Sequence, residues 1–132
     1  MVIFVDTSAL YALSCAEDRN YPQAVKIWED LMKNETDLVA NNYVVVESIS
    51  LFQNRFGIDK VRIFQTKLVP FLDVDWIDEE QHAAAIQNVL TANRRTLSLV
   101  DCSAFETMRR LGLDTVFTFD PHFTEQGFTV IP

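Results

Sequence analysis

The chain has little of several things. It carries only 3 glycines, 4 prolines and 2 cysteines in 132 residues. So few glycines and prolines exclude collagen-like and low-complexity architectures, and 48% hydrophobic residues exclude a disordered chain. Cys15 and Cys102 are too few for a disulfide framework, so a reducing, cytoplasmic setting is expected. No apolar run approaches the ~18 residues a membrane span requires, so no membrane association is expected. The start, Met1-Val2-Ile3-Phe4-Val5-Asp6, has no basic stretch before its apolar run and an acid directly after it. It does not read as a secretory signal. The length fits one domain over residues 1–132, with surface enough to bury for one core.

Positive charge is also scarce. Eleven Lys and Arg face nineteen Asp and Glu, for a net charge of −8. Such a field repels phosphate backbones and by itself argues against a nucleic-acid partner. The deficit is uneven. Arg55, Lys60, Arg62 and Lys67 cluster with Asp59 as the one acid among them, and residues 111–132 contain no Lys or Arg.

Along the chain, apolar strand-like runs alternate with helical patterns. Val2–Val5 reads as a buried strand ending at a capping sequence, Asp6-Thr7-Ser8, with a short helix through Leu13. Tyr21, Val25, Trp28 and Met32 recur at helical spacing. Residues 37–40 form a strand candidate, and Asn41 or Asn42 can cap a long helix closed by Gly57, with Val45, Ile49, Phe52 and Phe56 as its main stripe. A helix follows over 59–69. Leu72, Val74 and Trp76 alternate with acids as in a strand. Asp78-Glu79-Glu80 suits the first turn of another helix. Ser98 caps a helix from Leu99 to about Leu111, closed by Gly112. Strands are expected at 115–119 and 128–131. This order predicts an α/β fold, a three-layer α/β/α sandwich around a mainly parallel sheet of four to five strands.

Such a sheet gathers chemistry at the C-terminal ends of its strands. Asp6 and Asp120 each directly follow a strand, Asp101 lies in a first helical turn, and Glu47 sits in the helix after the second strand. Glu47 is about 200° round from Val45, off the main stripe, yet its neighbours are Tyr43, Val44 and Leu51. That surrounding implies burial, and no base lies between Lys33 and Arg55 to pair with it. Each acid has an ordinary alternative: a cap for Asp6, a first-turn acid for Asp101, a turn for Asp120, a distant arginine such as Arg94 or Arg95 for Glu47. Together they have one shared explanation. Carboxylates converging without bases repel unless a hard divalent cation sits among them, and oxygen donors suit Mg²⁺ or Mn²⁺. Such an ion acts on phosphoryl oxygens and bound water.

Val5-Asp6-Thr7-Ser8-Ala9-Leu10, Glu47, Leu97-Ser98-Leu99-Val100-Asp101 and Thr118-Phe119-Asp120-Pro121-His122-Phe123, in that order, resemble the PIN-domain nucleases. At this size the chain is similar to the single-domain VapC-type toxins of toxin–antitoxin pairs. The resemblance implies a metal-dependent endoribonuclease in which Asp6, Glu47, Asp101 and Asp120 hold one or two Mg²⁺ or Mn²⁺ ions and carry catalysis. It makes Thr7 and Thr118 supporting hydroxyls. It also implies a homodimer and a cognate antitoxin. Candidate RNA contacts are Arg55, Lys60, Arg62, Lys67, Arg94 and Arg95, whose ordinary role is a solvated helix face. The competing functional reading is a non-catalytic RNA- or protein-binding module on the same fold. A phospho-receiver domain is disfavoured because Lys67 is the last lysine; a haloacid-dehalogenase-type phosphatase is disfavoured because Ser8 stands where a second acid is needed. His122 is a candidate phosphate contact. His82 reads as a surface or packing histidine, Cys15 and Cys102 as small buried residues, and Trp28 and Trp76 as core.

Overall fold

The computed structural model describes residues 1–132. Five strands and seven helices follow one another as β1 (Val2–Val5), α1 (Thr7–Ser14), α2 (Tyr21–Lys33), β2 (Asp37–Asn41), α3 (Asn42–Phe56), α4 (Ile58–Lys67), a 3₁₀ turn (Val69–Phe71), β3 (Leu72–Asp75), α5 (Glu79–Ala92), α6 (Leu99–Leu111), β4 (Thr115–Phe117), α7 (His122–Glu125) and β5 (Thr129–Ile131). The strands form one sheet in the order β3-β2-β1-β4-β5, and every pairing is parallel. Successive strand residues point to opposite faces. Ile3, Phe4 and Val5 are nonetheless all buried, as are Leu38, Val39 and Ala40. Helices therefore cover both faces of the central strands. No helix is long and apolar enough to cross a membrane.

The strand order locates the site. From β1 the chain crosses to β2 on one side, whereas from β4 it crosses to β5 on the other. The crevice where two neighbouring strands send their connections apart is the place where open parallel sheets bind ligands. Here it lies beyond the C-terminal ends of β1 and β4, where Asp6 and Asp120 stand.

The helix boundaries follow capping chemistry. Asn41 accepts the Val44 N–H at 2.9 Å to open α3. Asp78 and Gln81 exchange hydrogen bonds at the start of α5, and Ser98 and Asp101 do the same at the start of α6. Gly112, at φ 70°, closes α6 in the left-handed conformation that side chains disfavour.

The fully buried positions of two helices are offset by one residue from most of the stripe that spacing predicts, although Phe52 is buried as expected. In α2 the buried positions are Ala24 and Leu31, and Tyr21, Val25, Trp28 and Met32 are only partly covered. In α3 they are Val44, Ser48 and Phe52, with Val45, Ile49 and Phe56 flanking. Small residues let a helix approach its neighbour and vanish completely; large side chains beside them reach over the rim. Trp76 departs further. It lies just past β3, on an edge strand, and is 75% exposed rather than in the core. Trp28 does pack on the core, edge-on to Phe71 with ring centroids 6.1 Å apart. Cys15 and Cys102 are buried free thiols.

β4 ends at Phe117, two residues before the β-rich run does. Side chains take over there. The Phe119 N–H goes to Ser8 Oγ and the Asp120 N–H to Thr118 Oγ1, each at 2.9 Å. These bonds turn the chain out of the sheet and into the crevice. The single-turn helix α7 follows Pro121, a turn sequence alone does not announce.

Candidate active site

Asp6 is the anchor of the crevice. It ends β1, caps α1 and is only 3% exposed. Its Oδ2 accepts from Ser8 Oγ at 2.8 Å, Thr118 Oγ1 at 2.9 Å and Ser8 N at 3.4 Å. None of these donors reaches Oδ1. The Asp6 N–H also binds Phe117 O at 3.1 Å, so one residue ties the ends of β1 and β4 together. Burial pushes the Asp6 carboxyl up to about 6, opposed by the two hydroxyls and reinforced by the charges of Asp101 and Asp120.

Asp101 is the third residue of α6. Its Oδ2 accepts the Ser98 N–H at 3.1 Å, so it does serve as a capping acid. Its carboxyl is nonetheless raised, first by burial and then by Asp120, against the Ser98 hydrogen bonds and the proximity of His122. Asp120 accepts the His122 N–H on Oδ1 at 2.9 Å, a local turn that fixes its carboxylate. Glu47, on α3, is half-buried, and its carboxyl is raised by burial and by Asp101 and Asp120. Full burial of that end of α3 is not what the structure shows: the neighbouring Val46 is 61% exposed, on a separate groove with Val45, Ile49 and Trp76.

The four acids line one open cleft of about 360 Å³, together with Thr7, Ser8, Tyr11, Asp18, Asn20, Leu51 and Phe119. No Lys or Arg is among them. The arginines that pair do so elsewhere: Arg62 with Asp59, Arg94 with Glu125, Arg110 with Asp75. The alternative in which Arg94 neutralises Glu47 is therefore not realised. Asp101, Asp120 and His122 each offer one donor atom within 4.8 Å of one another. Two buried polar atoms here lack a hydrogen-bond partner, Thr7 Oγ1 and His122 Nδ1. An anionic cleft with oxygen donors, no counter-charge and unsatisfied polar atoms fits a divalent cation.

The hydroxyl support differs in detail from the sequence expectation. Thr118 bonds Asp6, but its partner in doing so is Ser8, not Thr7. Thr7 lies close enough to Glu47 to favour the charged carboxylate, without making a full hydrogen bond. Ser8 was visible only as a possible cap; its contact with Thr118, 3.0 Å across the β1–β4 seam, needs the fold. Asp18 and Asn20, on the loop between α1 and α2, join the cleft without any signal in spacing.

None of the six candidate RNA-contacting bases lines the cleft. Arg55 lies over the ring of Tyr11, which does, at 5.8 Å from its centroid. Lys60 donates to Ser14 O at 2.7 Å and sits over Phe56. Arg62 and Arg94 are ion-paired, and Lys67 and Arg95 are exposed. His82 is exposed and edge-on to Tyr43.

Comparison with known proteins places this geometry. The chain is 27% identical over 131 residues, 98% of each protein, to the 23S rRNA-specific endonuclease VapC20 of Mycobacterium tuberculosis. It superposes on the crystal structure of that protein, described as a Sarcin-Ricin loop cleaving toxin, with a TM-score of 0.82 at 26% identity over 96% of each chain. FitAcB from Neisseria gonorrhoeae shares the fold at a TM-score of 0.71 and 16% identity, covering 100% of this chain and 97% of that one. So does a toxin–antitoxin complex from Klebsiella pneumoniae, at 0.65 and 13%, covering 98% and 96%. The PIN domain pattern matches residues 3–128, and with it the parallel sheet and its acidic crevice: this chain belongs to the PIN domain family.

Proposed function

We propose that this chain is a divalent-cation-dependent endoribonuclease and the toxin of a toxin–antitoxin pair. The observation that carries the reading is the cleft itself. Four carboxylates drawn from the end of β1, from α3, from α6 and from the β4–α7 turn share it, and no Lys or Arg neutralises them.

Asp6, Asp101, Asp120 and Glu47 would hold one or two Mg²⁺ or Mn²⁺ ions. Such an ion supplies Lewis-acid polarisation of the phosphoryl group and makes bound water more acidic. The protein's own part follows from its geometry. Ser8 and Thr118 hold Asp6 in one orientation and favour its charged form. Ser98 does the same for Asp101. Glu47, half-buried with a raised carboxyl, orients a water for in-line attack and takes its proton. The water oxygen bonds to phosphorus, the bond from phosphorus to the 3′ oxygen breaks, and that oxygen takes a proton from solvent water to leave as a hydroxyl.

Arg55, Lys60, Arg62, Lys67, Arg94 and Arg95 contact the RNA backbone in this reading, with Arg55 beside the cleft through Tyr11. VapC20, named above, is a 23S rRNA-specific endonuclease, so ribosomal RNA is the substrate to test first. The chain works as a homodimer and in the cytoplasm, restrained by a cognate antitoxin.

The test is cleavage of ribosomal RNA by the full chain with Mg²⁺ or Mn²⁺. Cleavage that chelation stops and Asp6→Asn removes supports the reading. Asp6→Asn cutting at the wild-type rate overturns it. A chain that binds RNA without cutting it and shows no calorimetric Mg²⁺ or Mn²⁺ site is the binding module instead.

A further inference from the structure

His122 stands outside the four-acid set but against two of its members. It opens α7, and its side chain is 14% exposed. Its Nδ1 lies 2.9 Å from Asp120 Oδ1 and 3.6 Å from Asp101 Oδ2. The shorter approach is not a hydrogen bond. A proton on Nδ1 lies in the ring plane, and Nδ1 is a buried atom with no hydrogen-bond partner. With Nδ1 unprotonated, its lone pair faces the carboxylate oxygens of Asp120 and Asp101, an unfavourable approach with nothing between them. A cation shared among them makes the same arrangement attractive. Neighbouring ligands of an octahedral ion with bonds of ~2.1 Å are separated by roughly 3 Å; the His122–Asp120 separation of 2.9 Å matches this and the His122–Asp101 separation of 3.6 Å is somewhat longer.

A second group points the same way. Thr7 is more than nine-tenths buried, lines the same cleft, and its Oγ1 has no partner. An unsatisfied hydroxyl from α1 thus lines the cleft, and an unsatisfied nitrogen from α7 abuts two of its acids.

We infer that His122 is a nitrogen ligand of the cation site and that it biases the site from Mg²⁺ toward first-row transition ions such as Mn²⁺. The inference rests on the cation-dependent reading above and sharpens it. Mg²⁺ prefers oxygen donors and keeps its waters, whereas imidazole is a good ligand for transition ions. Mn²⁺ is hard enough to accept the carboxylates and accepts the nitrogen as well. The only other histidine, His82, is exposed and packs on Tyr43, so any nitrogen found on the ion identifies His122.

The experiment is pulsed electron paramagnetic resonance on the full chain loaded with Mn²⁺. The expected result is nuclear modulation from a directly bound ¹⁴N, shifted to the ¹⁵N frequency in protein carrying ¹⁵N-histidine. In parallel, calorimetry with Mn²⁺ and Mg²⁺ separately should show the Mn²⁺ preference falling by about tenfold in His122→Gln. Bound Mn²⁺ without nitrogen modulation overturns the inference and leaves the four-acid site standing. Binding of Mg²⁺ without Mn²⁺ also overturns the inference alone, and binding of neither ion overturns both. The labelled wild-type protein decides the matter even if His122→Gln does not fold.

Discussion

Helices α5 and α6 begin with the same device and end in different places. Each opens with a reciprocal capping box containing one aspartate: Asp78 paired with Gln81, and Ser98 paired with Asp101. The two helices pack against each other. Asp78 is exposed and bonds only within its own first turn. Asp101 makes an equivalent local bond, but its first turn faces the crevice beyond β1 and β4. There, burial and Asp120 raise its carboxyl. Local capping chemistry is shared; the sheet's topology decides which of two similar acids faces the shared acidic cleft.

Replacement of each acid by asparagine separates those uses. Asparagine can still accept the capping hydrogen bond in both settings. Asp101→Asn should lower RNA cleavage by about 10²–10³-fold, because one charge in the cation cage is gone. The same variant should be no less stable without metal, since repulsion from Asp6 and Asp120 is relieved. Asp78→Asn should change neither. Cleavage rates at saturating Mn²⁺, beside thermal melts under chelation, check both halves. Equal loss of activity in the two variants would erase the distinction between the helices.

Much of this contrast is legible in sequence, and the limit has a physical cause. Caps, boxes and strand ends are local, so Ser98, Gly112 and the strand-terminating Asp6 are readable from their neighbours. The four acids are readable as a set because an apolar setting without bases makes each one expensive. What pattern misses is whatever depends on two distant segments meeting. Ser8 contacts Thr118 across the β1–β4 seam. Asp18 reaches the cleft from a loop. Ala24 on α2 and Ser48 on α3 are fully buried, small residues that no periodicity of large side chains reports. Trp76 alternates like a core residue but stands beside an edge strand with nothing packed over it.

The two regions should also respond differently to pH. Asp6, Asp101 and Glu47 are all raised, so the folded, metal-free protein holds protons more tightly than the unfolded chain. Their cost is fully present above about pH 6, the value for Asp6, and is relieved as pH falls toward the ordinary carboxylate range. Asp6 alone should contribute about 1 kcal/mol of added stability between pH 7.5 and 5.5, or roughly 3 °C in melting temperature. Bound cation should reverse the trend, since its ligands must be deprotonated. Melts at the two pH values, with chelator and with Mn²⁺, measure this. A metal-free protein that loses stability on acidification from 7.5 to 5.5 would contradict it.

The smallest effect is the sharpest test of locality. Asp78→Ala removes the side-chain acceptor for the Gln81 N–H and breaks the capping box that opens α5. Loss of such a cap costs about 1 kcal/mol of stability. Because Asp78 is exposed and lines no part of the cleft, cleavage per folded molecule should stay at the wild-type value. Chemical denaturation gives the stability change, and the rate at a temperature where both proteins are fully folded gives the activity. A fall in rate at full folding would mean that α5 transmits strain through its packing on α6 to Asp101. The acidic crevice would then depend on both capping boxes rather than on one.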